Sequence, residues 1–118
     1  MKTDLPQRTF AFSVRIVRLC QVLDRKGSVG RTVGRQLIRS GTSIGANVEE
    51  GQASPSRADF RLKYSFACKE ARESQYWLRL LAETGILPAE QLEPITQECS
   101  ELVAILTTIL KRSRSKSE

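Results

Sequence analysis

Apolar residues along this chain recur at steps of three and four, the spacing of one face of an α-helix. From about Gln7 to Leu23 the positions Phe12, Ile16, Leu19, Cys20 and Leu23 keep that step. Asp24-Arg25-Lys26-Gly27-Ser28 reads as a turn, with Ser28 as the expected N-cap of the next helix. The stretch that follows includes SGTSIGANVEEG, Ser40 to Gly51, rich in glycine and hydroxyl residues. Glycine costs about 1 kcal/mol against alanine inside a helix, so composition alone argues for a loop. The periodicity argues otherwise. At 100° per residue, Val33, Leu37, Gly41, Ile44 and Val48 fall within about 80° of arc. A second helix is therefore predicted from about Val29 to Gly51. Its glycines then need a packing reason. Gly41 and Gly45 are four residues apart with Ala46 beside them, and small residues let a neighbouring backbone come close.

Ser54-Pro55-Ser56 interrupts the pattern. Ser56, with Asp59 three residues on, resembles a capping box in which Asp replaces the usual Glu. A third helix is predicted to run to about Thr84, where Gly85 is a natural C-cap. Phe60, Tyr64, Ala67, Ala71, Ser74, Leu78 and Leu81 form a heptad-like seam along it. Leu62, Phe66, Trp77 and Leu80 form a second apolar stripe, and Arg61, Lys69, Arg72 and Arg79 lie on the wet side between the two. Two apolar faces need two partners. One is the bundle core; the other is read as a second subunit, with a wide core contact in a monomer as the alternative.

A fourth helix follows Pro88, with a break or kink expected near Pro94. Leu92, Ile95, Cys99, Leu102, Leu106 and Ile109 make its seam. The end, KRSRSKSE, has no apolar residue and is expected to be disordered. Four amphipathic segments joined by short turns, and no strands, predict an all-α, antiparallel up-down four-helix bundle. The domain is placed at residues 1–110 and a basic tail at 111–118.

Composition then limits the chemistry. The 118 residues include no histidine, which removes His-based catalysis and most zinc sites. Cys20, Cys68 and Cys99 are widely spaced and form no CxxC pair, so they read as buried free thiols of a reducing, cytoplasmic environment. No stretch approaches the length of a membrane span, and MKTDLPQRTFAFSV is not a convincing signal peptide.

The net charge of +6 is unevenly placed. Residues 1–48 carry nine basic and two acidic side chains, residues 49–110 six and ten, and residues 111–118 four and one. Such polarity favours polyanions as partners. Arg31, Arg35 and Arg39 point away from the predicted core, four residues apart, and with Lys111, Arg112, Arg114 and Lys116 of the tail they are candidates for phosphate contact. The alternative is a solvated face. No aromatic residues are interleaved with them, so any nucleic-acid binding would be led by the backbone.

Glu50, Glu70 and Glu73 could be read as a carboxylate cluster for acid–base work, but with Lys69, Arg72 and Arg79 nearby ion pairing is the expected role. Asn47, with Ser40 and Glu50, is read as a half-buried polar flank that fixes register. No catalytic residue, metal site or cofactor is expected.

The run from Arg35 to Leu81 resembles the four-helix-bundle proteins known as 23S rRNA intervening-sequence proteins. Ser43, Ile44, Ala46, Asn47, Val48, Glu50 and Gly51 match an S-I-x-A-N-[IV]-x-E-G core. Ser56, Asp59 and Phe60 match a Ser-x-x-[DE]-F element. Lys69, Glu70, Glu73, Ser74, Trp77 and Leu78 match a Lys-Glu-x-x-Glu-[ST]-x-x-Trp-Leu run of one branch. The likeness spans roughly residues 12–110, and Gly45 stands where many relatives have proline. It implies a bacterial, cytoplasmic protein that assembles as a homo-oligomeric ring, usually a pentamer. The structural motif positions would be Ser43, Asn47, Glu50, Gly51, Glu70 and Glu73. Related bundles are accessory proteins of retroelements that bind reverse transcriptase and nucleic acid. The expectation is thus a non-enzymatic oligomer that binds RNA or DNA, with a protein adaptor, whose partner is for instance a reverse transcriptase, as the alternative.

Overall fold

The computed structural model describes residues 4–117, with side chains from Asp4 to Arg114. Its elements are α1 (Leu5–Leu23), α2 (Gly27–Gln52), α3 (Arg57–Thr84) and α4 (Ala89–Ser117), with no strand among the described residues. The chain is an all-α four-helix bundle, elongated to 48 × 24 × 21 Å.

Local signals account for most of the boundaries. The Asp4 carboxylate accepts from the Gln7 N–H at 3.3 Å and caps α1, while Pro6 sits in the first turn, where its missing donor is not needed. Ser56 caps α3 by accepting from the Asp59 N–H at 3.1 Å. The Asp59 carboxylate takes the Ser54 hydroxyl instead, at 2.7 Å, so the capping box is only half closed. Gly85, at φ 71°, ends α3 in the left-handed region that glycine enters without strain.

Three boundaries differ from the sequence reading. Ser28 is not a cap: the cap position falls two residues earlier, at Lys26, α2 begins at Gly27 with φ 93°, and no side chain caps it. The Ser28 carbonyl instead accepts from the Thr32 hydroxyl at 2.9 Å. Pro94 breaks nothing, because α4 runs through it. It lies early in the helix, so the acceptor it strands is the exposed Glu90 carbonyl, which water can satisfy. Finally, residues 111–117, expected to be disordered, continue α4 as helix. Ser113 is buried there, one turn beyond Ile109 and Leu110, so the buried face outlasts the apolar pattern.

The glycine-rich stretch is helix throughout, and its apolar stripe of Val33, Leu37, Gly41, Ile44 and Val48 is buried. α2 packs on α1 and α3, α3 on α4, and α1 meets α4 over a smaller area. A Cβ added at Gly41 would lie 2.8 Å from Ile16 Cγ1, and one at Gly45 would lie 3.3 Å from the Thr9 carbonyl oxygen. At the far end, a Cβ at Gly51 would come within 2.6 Å of the Tyr64 ring. These close approaches are why small residues interrupt an otherwise ordinary helix.

Phe12, Ile16, Leu37, Ile44, Tyr64, Leu78, Leu102 and Leu106 are among the side chains that fill the centre. Inside it, the Ser40 and Ser74 hydroxyls share a hydrogen bond of 2.9 Å between α2 and α3, so neither is left unsatisfied. The three cysteines are free thiols, Cys68 and Cys99 buried and Cys20 half-buried. Burial pushes Cys20 up to about 11 and Cys99 up to about 12, so both stay protonated at neutral pH. No helix among the described residues is long and apolar enough to cross a membrane.

Candidate functional site

Arg31, Arg35 and Arg39 start one turn apart on α2 but do not share one face. Each step of four residues advances about 40° around a helix, so the row drifts from the α1 side towards the α3 side. Arg31 and Arg35 are exposed and line a groove between α1 and α2. Arg39 reaches α3 instead. Its Nη1 donates to Glu70 Oε1 at 3.2 Å and its Nη2 to Glu73 Oε2. The expected row of three free arginines is therefore two, with the third held by carboxylates.

This also corrects the partners foreseen for Glu70 and Glu73. Lys69, Arg72 and Arg79 share their helix but stay exposed, and the cation comes from α2. The Trp77 indole N–H donates to Glu73 at 3.0 Å, completing a polar cluster over the α2–α3 seam. Glu50 is engaged separately, 3.0 Å from the Lys63 ammonium, and that hydrogen bond raises the Lys63 pKa. The three carboxylates thus act as ion-pair acceptors, and no group of three or more Cys, Asp or Glu among the described residues is arranged to hold a metal.

Asn47 forms no polar seam with Ser40 and Glu50. Its amide donates to the Ser43 carbonyl at 2.9 Å, one turn back on α2, and the Ser43 hydroxyl donates to the Arg39 carbonyl at 2.6 Å. Ser40 turns into the core towards Ser74. Gly51 owes its place to Tyr64, whose hydroxyl accepts from the Gln52 amide at 2.6 Å. Of the second stripe on α3, Leu62 is 50% and Phe66 43% exposed, while Trp77 and Leu80 are half-buried. The core alone does not cover that stripe.

At the far end of α4, Lys111, Arg112 and Arg114 are exposed on helix. Arg112 and Arg57 flank a shallow cleft beside Phe60. The Lys116 side chain lies outside the described residues. Sequence reasoning missed Arg8, which forks onto Glu98 at 2.7 and 2.9 Å and reaches Glu101 at 2.5 Å. The partners are 90 and more residues apart, beyond any local pattern.

Comparison with known proteins agrees with this fold. A family model described as 23S rRNA-intervening sequence protein matches residues 1–108, which takes in α1 as well as the motifs of α2 and α3. Among solved structures, a crystal structure of a protein with unknown function from the S23 ribosomal protein family of Bacteroides thetaiotaomicron VPI-5482 is 42% identical. The alignment covers 90% of this chain and 97% of that one, with a TM-score of 0.83. No curated protein matches.

Proposed function

The chain belongs to the 23S rRNA-intervening sequence protein family, and on that premise we propose that it is a non-enzymatic, self-assembling bundle that binds RNA or DNA through backbone phosphates. The observation that carries this reading is a set of uncommitted arginines in the part of the chain, residues 1–48, that holds only two acidic side chains. Arg15, Arg18, Arg25, Arg31 and Arg35, on α1, the first turn and the first half of α2, are exposed and make no ion pair with any described residue. Arg8, Arg39 and Lys63 are held by carboxylates instead. An unpaired guanidinium keeps its fork of donors for phosphate oxygens.

The contacts of α2 with α1 and α3 support an antiparallel up-down order. Leu62 and Phe66, with Phe10 at 62% exposure on α1, support a further apolar contact. In this reading that contact is with another copy, head to tail, closing into a cytoplasmic ring, a pentamer if the implication of the family resemblance holds. The basic face would then repeat once per subunit, and weak phosphate contacts would add through multivalency. Leu62→Ser/Phe66→Ser is expected to lower the mass measured by light scattering with little change in melting, since both side chains are about half exposed. An unchanged mass would remove this stripe from the assembly.

The binding test is a titration with labelled RNA at two salt concentrations. Arg31→Gln/Arg35→Gln is expected to weaken unrelated sequences alike and to flatten the salt slope by about 1 for each phosphate-binding arginine removed. Arg39→Gln should leave the slope unchanged, because its charge is already engaged. The half-exposed apolar side chains favour a second reading, a protein adaptor with a partner such as a reverse transcriptase. If the intact oligomer binds no RNA or DNA at low salt, that reading takes first place.

A further inference from the structure

Arg25, Arg31 and Arg35 converge on one groove between α1 and α2, with a volume of about 490 Å³. Its floor is apolar. Val17 from α1 and Ile38 from α2 lie there, 37% and 36% exposed, with Gly34 between the helices. The Gly34 carbonyl accepts from the Cys20 thiol at 3.3 Å, so the floor's backbone is satisfied. Asp24 is the one carboxylate lining the groove against three guanidinium groups. Arg31 donates to the Asp24 backbone oxygen at 3.5 Å, the outer limit of a hydrogen bond, so it is only loosely held. Gln21 stands on the wall with its side-chain amide unbonded to any described residue.

We infer that this groove seats one unpaired nucleotide of a single strand. The base would lie on Val17 and Ile38 with its edge towards the Gln21 amide, and the flanking phosphates would meet Arg25, Arg31 and Arg35. This rests on the nucleic-acid reading above and narrows it. The volume falls in the range of small-molecule sites. A phosphate alone has no use for the apolar floor. A purely apolar partner would bury three cations against one anion, at a heavy desolvation cost. A duplex hides its base faces in the stack, whereas a single strand can lay one down.

The test uses the full chain with labelled single-stranded RNA and an RNA duplex of equal length, both at low salt. Val17→Asn/Ile38→Asn removes the apolar floor without changing charge, and its melting is checked first. Single-strand affinity is expected to fall by about tenfold in this variant, from lost burial of apolar surface, while duplex affinity holds. Arg25→Gln/Arg31→Gln/Arg35→Gln should weaken both. Equal losses on strand and duplex, or no loss from the floor variant, would overturn the groove while leaving phosphate binding intact. If the wild-type protein binds neither probe, both readings fall together. A drop in oligomer mass caused by the floor variant would assign the groove to a contact between copies and also overturn the inference.

Discussion

Alanine at Gly51 or Gly41 is expected to destabilise the protein by about 1–2 kcal/mol each, although alanine is the better helix former. The added methyl at Gly51 would sit 2.6 and 2.7 Å from two carbons of the Tyr64 ring. That ring has little freedom to retreat: it is buried, stacked on Phe60 with centroids 4.2 Å apart, and bonded through its hydroxyl to Gln52. At Gly41 the methyl would meet Cγ1 and Cγ2 of the buried Ile16 at 2.8 and 2.9 Å. Those are branch atoms close to the backbone, so α1 itself must shift. Helix propensity offsets only about 0.5–1 kcal/mol of the clash. Gly34 provides the control. Its added carbon would lie 3.5 Å from Leu23 Cβ, an ordinary contact, so Gly34→Ala should be neutral or stabilising by up to about 1 kcal/mol. The two clashing sites share no partner, so Gly41→Ala/Gly51→Ala should lose about 2–4 kcal/mol, at roughly 4 °C of melting temperature per kcal/mol. A double variant that melts higher than the parent would show the helix crossings to be looser than these distances imply.

These glycines also mark how far the sequence could be read. Val33, Leu37, Ile44 and Val48 carried a period of 3.6 straight through the glycine-rich stretch, and that period outweighed composition because burial of a continuous stripe exceeds the propensity penalty. The seams of α3 and α4 were legible for the same reason. Ser28 was misread because the turn is already closed at Gly27 by its left-handed backbone, and a hydroxyl two residues past the cap position cannot cap. Residues 111–117 were misread because burial there falls on Ser113, which no hydropathy pattern reports.

The candidate site was less legible than the fold. Arg31 and Arg39 look equivalent when written four residues at a time. About 80° of accumulated drift sends one to the α1–α2 groove and the other to Glu70 and Glu73. The groove itself draws on α1, the first turn and α2, so Arg25, Val17 and Ile38 acquire a common surface only once the helices are packed. Even the carboxylates' true partner was hidden, because ion pairs across a bundle depend on helix rotation and not on sequence neighbours.

Arg8→Ala is expected to cost about 2 kcal/mol and to loosen α1 before any other helix. α1 and α4 share the smallest of the helix contacts, so a polar tie there carries more weight than usual. Arg8 and Glu98 side chains are only 21% and 20% exposed, and the fork is bidentate, which puts this pair above an ordinary surface ion pair. Hydrogen bonds to charged groups contribute about 1.5–3 kcal/mol each when one partner is removed, and Glu98 would be left half-covered without its donor. Arg8→Lys should recover only part of the loss, since an ammonium cannot reproduce two parallel N–H donors. The Glu101 carboxyl, which also accepts from Gln97 at 3.1 Å, is held below the usual carboxylate range by Gln97 and then by Arg8. A depressed folded-state value means that its share of the stabilisation is present above the unfolded value and is lost as pH falls through the folded one. The Arg8→Ala effect should therefore shrink in acid. A double-mutant cycle of Arg8→Ala with Glu98→Ala should give a coupling of about 1–2 kcal/mol, and hydrogen exchange should show faster opening of α1 than of α2 or α3. Additivity within about 0.5 kcal/mol would mean that the pair does not couple the helices. α1 would then be held by its buried face alone, with Phe12, Ile16 and Leu23 at its centre. α1 also carries Val17 and Gln21, so a real loss of this tie should weaken single-strand binding in parallel with α1 protection.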